Sequence, residues 1–78
     1  MTKEFTETSI EEAKKEYDNG NTVFFVDERD LDPDGKHQID KIGVPINNKN
    51  AKSFDMEVGA WYMFNHWGGT SPKLKMYT

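Results

Sequence analysis

The chain has 78 residues, 35% of them hydrophobic, 13% aromatic and 31% charged, with no cysteine and a formal charge of -4. That length is one small domain spanning 1–78, and ten aromatics are too many for a disordered tail. The composition excludes a collagen-like chain, a disulfide scaffold, thiol chemistry and cysteine-based zinc sites, and no stretch approaches the ~20 apolar residues of a membrane span.

Residues 1–8 are polar and read as a frayed lead-in without a leader-type apolar core. Ser9-Ile10-Glu11-Glu12 then has the form of a capping box, in which the Ser9 hydroxyl accepts from the backbone three residues on. Glu11 and Glu12 lie at the positive end of the helix dipole, and Lys14 and Lys15 follow. Ile10, Ala13 and Tyr17 make one narrow apolar stripe, and Gly20 supplies the stop. A helix over about 9–19 is expected, too short to stand without docking.

Thr22-Val23-Phe24-Phe25-Val26 is β-branched and aromatic and reads as a buried central strand. Asp27 to Lys36 is polar, holds Pro33 and Asp34-Gly35, and reads as a loop. Ile42, Val44 and Ile46 alternate as in a strand. Pro45 removes a ladder donor and confines that strand to an edge. Asn47 to Asn50 is a polar turn.

Residues 53–67 carry two rival patterns. Phe54, Met56 and Val58 alternate with polar residues, and Gly59-Ala60 suits a two-residue hairpin turn leading into Trp61-Tyr62-Met63-Phe64. The alternative is a helix over 54–67 ended by Gly68-Gly69, with Gly59 inside it at a cost of ~1 kcal/mol. The alternation favours the hairpin. Lys73 to Tyr77 alternates again and closes the chain as a strand whose lysines would guard an exposed edge. The expected fold is α+β: one N-terminal helix packed on a small, mainly antiparallel sheet of three to five strands. The expected core is Ile10, Val23, Phe25, Met56, Val58, Trp61, Met63 and Leu74.

Chemistry is sparse. Asp30, Asp32 and Asp34 with Gly35 resemble the start of a calcium loop, but Lys41 stands where the bidentate Glu belongs. The two histidines, His37 and His66, have no zinc-ligand spacing. Ser9, Ser53 and Ser71 lack a nucleophile-elbow context, and there is no phosphate-binding glycine loop. The expectation is a protein that is not an enzyme and takes no cofactor or metal.

Charge and aromatics carry what functional signal there is. Residues 1–35 hold four basic and eleven acidic side chains (-7), while 36–78 hold six lysines against three acids (+3). An acidic face would steer a basic partner, whereas duplex nucleic-acid binding wants a basic domain. Tyr62, Phe64, His66 and Trp67 cluster beside Asp55 and Glu57, and aromatic side chains give large rigid contact area. The candidate partner-binding residues are therefore Asp27, Glu28, Asp30, Asp32 and Asp34 with Tyr62, Phe64, His66 and Trp67. The expected function is a small acidic, cytoplasmic, protein-binding inhibitor or adaptor, of the type with which a phage blocks a larger host protein. The alternative is single-stranded nucleic-acid binding, by stacking on the aromatic face with Lys73 and Lys75 nearby.

Overall fold

A computed structural model describes residues 5–31, 38–66 and 72–78. In chain order these form β1 (Glu7–Thr8), α1 (Ile10–Asp18), β2 (Val23–Asp27), a single 3-10 turn (Glu28–Asp30), α2 (Ile39–Ile42), β3 (Val44–Ile46), α3 (Phe54–Phe64) and β4 (Leu74–Tyr77). The four strands make one antiparallel sheet in the order β1-β4-β2-β3. The class is α+β, with the N-terminal helix against the sheet as its sequence implies.

Alternation along the central strands gives the sheet two apolar faces. Val23 and Phe25 of β2 point to one side with Met76 of β4, where Ala13 and Tyr17 of α1 and Phe54 and Trp61 of α3 cover them. Phe24 and Val26 point to the other side with Tyr77, under Ile39 of α2, Phe5 and Leu31. A Cβ at Gly43 would lie 2.7 Å from the Ile39 carbonyl oxygen and 3.0 Å from Val26, so the chain leaving α2 needs glycine to lie this close to the sheet.

α1 is built as its sequence dictates. The Ser9 hydroxyl accepts from the Glu12 amide at 3.2 Å. At the far end Gly20 adopts φ +88, its amide donates to the Tyr17 carbonyl, and the Asn21 amide donates to that of Glu16. This is the Schellman closure, which satisfies carbonyls the helix would otherwise leave bare. Ala13 and Tyr17 are buried, and the Tyr17 hydroxyl donates to the Ala51 carbonyl. Ile10 is not core: at 54% exposed it sits at the first helical position, before the stripe turns inward.

Four expectations are corrected. Residues 54–64 are a helix, not a hairpin, because the same apolar residues also satisfy the helical period. Phe54, Val58 and Trp61 recur at i, i+4 and i+7 and pack on the sheet, and the Ser53 hydroxyl caps the Met56 amide at 3.3 Å. Met56 and Met63 consequently leave the core for solvent. β4 is central between β1 and β2 rather than an edge, and Lys75 pairs with Glu7 of the neighbouring strand at 2.7 Å. Glu7 and Thr8 are strand rather than loose lead-in, held by the Thr6–Thr78 amide pair at the end of the ladder. Ile42, expected to alternate in a strand with Val44 and Ile46, instead ends the single helical turn Ile39–Ile42, and the strand begins at Val44.

β3 is the edge that Pro45 implies. Its ladder runs Val23↔Ile46, Phe24↔Pro45 and Phe25↔Val44. The Pro45 carbonyl accepts from the Asn50 side chain at 3.1 Å. Asn50 is itself held in a turn where Asn47 accepts from the amides of Lys49 and Asn50. At its midpoint this edge therefore offers no donor, and its acceptor is already engaged.

A bare apolar helix face beside a blocked sheet edge

The most unusual surface belongs to α3. Its inner side is fixed by Phe54, Val58 and Trp61. The outer side of an ordinary surface helix is polar, but here it carries Met56 (73% exposed), Met63 (81%) and Phe64 (81%), with Gly59 and Ala60 between them. A Cβ added to Gly59 would meet nothing within 4 Å. Met56, Gly59, Ala60 and Met63 fall at i, i+3, i+4 and i+7 and so form one ridge with a notch at its middle.

Alongside this ridge, between α3 and β3, runs a cleft of about 150 Å³. It is floored by Phe25 and Trp61 and walled by Val44, Ile46, Ala60 and Phe64. Glu57 and Asn65 are its polar members. Glu57 is half-buried and makes no side-chain hydrogen bond or ion pair among the described residues. Asp55, on the opposite flank of α3, is matched by Lys14 of α1 at 3.2 Å. A second, more open depression lies between Tyr62, Met63, His66 and Pro72.

The C-terminal end of α3 is secured by a chain of polar contacts. Asp27, buried at the end of β2, accepts from the Arg29 amide at 2.9 Å and from the Arg29 guanidinium at 2.6 Å and 3.0 Å. The Arg29 guanidinium also donates to the Asn65 carbonyl at 3.2 Å. The last turn of α3 has no basic residue of its own, and Arg29 supplies the positive charge that a helix C-terminus favours. The hydrogen-bonded guanidinium of Arg29 holds the Asp27 carboxyl below its usual range, against the opposing effect of burial.

Of the residues singled out in the sequence, Asp27 is occupied in this clasp and is not presented to a partner. Glu28 and Asp30 are exposed on the 3-10 turn, Asp30 close enough to Arg29 to raise its pKa further. The clasp joins that turn to the end of α3 through Arg29 and the Asn65 carbonyl. Tyr62 and Phe64 are exposed on α3, and His66 is exposed just beyond it. They do not share the strand face expected of them, because successive helix positions diverge by about 100°. Asp32, Asp34 and Trp67 lie outside the described residues, as does most of the Asp30–Gly35 turn. Among the described residues no cluster of His, Asp or Glu is arranged to hold a metal ion, and no described helix is long and apolar enough to cross a membrane.

Met56, Gly59, Ala60 and Met63 were missed as surface residues. The signal was available: apart from Asp55 and Glu57 every residue from Phe54 to Phe64 is uncharged, more than a helix lying on one face of the sheet can bury. Comparison with known proteins finds no family model, curated protein or solved structure that matches this chain.

Proposed function

We propose that the chain is a protein-binding module that acts as an inhibitor or adaptor by docking the outer face of α3 and the adjoining cleft onto a larger protein. The observation that carries this reading is the bare ridge of Met56, Gly59, Ala60 and Met63, flanked by Phe64, on a helix whose other side already fills the core. Contiguous exposed apolar surface on a small domain marks an interaction site. Methionine suits it, because its flexible, polarizable side chain adapts to a partner's shape.

Asp55 and Glu57 border the ridge, and carboxylates there oppose a phosphate backbone, which favours protein over single-stranded nucleic acid. The acidic 3-10 turn with Glu28 and Asp30 would add steering rather than contact energy, as rim charges do.

The test is affinity capture from nuclease-treated lysate with the wild-type chain, Met63→Glu, and Glu28→Lys/Asp30→Lys. A stoichiometric protein held by the wild type and lost with Met63→Glu, at unchanged melting temperature, supports docking through α3. Equal capture by Met63→Glu overturns it. The double lysine variant is expected to keep the partner while slowing its association and flattening the salt dependence.

A further inference from the structure

The cleft beside α3 specifies what kind of partner surface fits it, given that the face docks a protein at all. We infer that α3 receives an amphipathic helix of basic character, one apolar side chain seated in the cleft and a neighbouring lysine or arginine on Glu57.

The form of the partner follows from the edge. A segment adding to the sheet at β3 would need backbone groups from that strand. Pro45 has no amide hydrogen, and its carbonyl is taken by Asn50. Recognition by strand addition is blocked there, and side-chain packing against α3 is left. α3 is about 16 Å long at 1.5 Å per residue. Its ridge is notched at Gly59, where no Cβ keeps a neighbouring backbone away. Helices pack by placing ridges into such grooves at ~8–10 Å separation.

The charge of the partner follows from Glu57. A cleft floored by Phe25 and Trp61 holds a half-buried carboxylate with no cationic partner among the described residues, while Asp55 on the opposite flank already has Lys14. Covering the cleft with apolar surface alone would strip water from Glu57 with no compensation, which is costly. A cation beside the seated side chain removes that penalty. The chain's net charge of -4 works in the same direction. It also opposes a second copy of this chain as the occupant, since two copies would bring the Glu57 side into a doubly acidic contact.

The test titrates the isotopically labelled full chain with synthetic peptides of about 18 residues, followed by amide chemical shifts. One peptide has leucine at i, i+3, i+4 and i+7 with lysine elsewhere, one has the same stripe with glutamate, and one is a scrambled leucine–lysine chain without a stripe. The striped lysine peptide is expected to shift Val44, Ile46, Glu57, Ala60, Met63 and Phe64, and the other two are not. Glu57→Gln should weaken it by roughly tenfold, and Glu57→Lys should transfer preference to the glutamate peptide. Shifts produced equally by the scrambled peptide, or centred on the acids of α1, would reduce the effect to net charge and overturn the inference. So would self-association of the peptide-free chain in sedimentation that Met63→Glu abolishes, or binding of phosphatidylserine vesicles through α3. If Met63→Glu loses a captured protein yet no striped peptide binds, the docking reading stands and the basic-helix partner falls. If neither capture nor peptide titration responds to Met63→Glu, both fall.

Discussion

α1 and α3 lie against the same face of the sheet and begin alike, each with a serine hydroxyl accepting from the third amide that follows it. From there they diverge. α1 turns Glu11, Glu12, Lys14 and Lys15 to water, with Glu12 and Lys15 paired at 3.6 Å, and ends in its own glycine closure. α3 turns Met56, Met63 and Phe64 to water and borrows its C-terminal cation from the 3-10 turn. Both helices bury apolar residues on the inner side, and they differ in the chemistry of the outer side. The core takes one stripe from each helix, and the second apolar side of α3 is left exposed among the described residues.

The comparison breaks most sharply at the inner stripe. Phe54 is almost fully buried and meets both Tyr17 and Phe25, ring centroids 5.7 and 5.5 Å away. Phe54→Ala should cost about 3–5 kcal/mol, whereas Met63→Gln on the outer side should stay within about 0.5 kcal/mol. Denaturant unfolding of the two variants reads this directly, and similar losses would mean that the outer side is packed after all.

Next in size is the clasp that gives α3 its borrowed cation. Asp27→Asn should cost about 1.5 kcal/mol, the low end for a hydrogen bond to a charged group, because the Arg29 side chain is 40% exposed and its attraction is screened. Its pH dependence has a definite sign. The folded-state pKa of Asp27 is lowered, so its contribution is complete above the ordinary carboxylate range and disappears as pH falls through that range toward the folded value. Thermal melts from pH 7 to pH 3 should therefore show the wild type losing its advantage over Asp27→Asn. An advantage that persists at low pH would remove the carboxylate from the account.

The shared caps sharpen the comparison by predicting sameness. Ser9→Ala and Ser53→Ala should each cost about 1 kcal/mol, since each removes the same kind of hydroxyl-to-amide bond. A much larger effect at one of them would show a role beyond capping. Smallest is Gly59→Ala, which should stabilise the free chain by about 0.5–1 kcal/mol, because the position is helical and open. The same change fills the notch in the ridge and should weaken docking, so stability and binding would move in opposite directions.

Local signals were legible wherever one reading satisfied them. Ser9, Gly20 and the Ala13–Tyr17 stripe specify α1 nearly to the residue, and Val23 to Val26 can only be a buried strand. Pro45 announces an edge. Residues 54–64 were misread because Phe54, Met56 and Val58 fit the strand period while Phe54, Val58 and Trp61 fit the helical one. With only Asp55 and Glu57 charged, the segment satisfies both periods and neither excludes the other. The acidic turn was conspicuous as composition, yet Asp27 within it serves a buried clasp with Arg29, two positions on, and Arg29 in turn reaches the Asn65 carbonyl, 36 positions beyond it. The ridge on α3 was hidden by the same misreading, since the hairpin assigned Met56 and Met63 to the core.

Interactions among near neighbours in the chain are enough to specify the start and stop of α1, the burial of β2, the proline-limited edge and the α+β class. The state of 54–64, the central place of β4, the pairing of β1 and which methionines meet water are settled by long-range packing. These depend on competition for a single sheet. Its two faces offer limited apolar area, and whichever stripe of an ambiguous segment fits that area best is buried. The remainder is left exposed, and on α3 that remainder is the surface through which the chain is proposed to act.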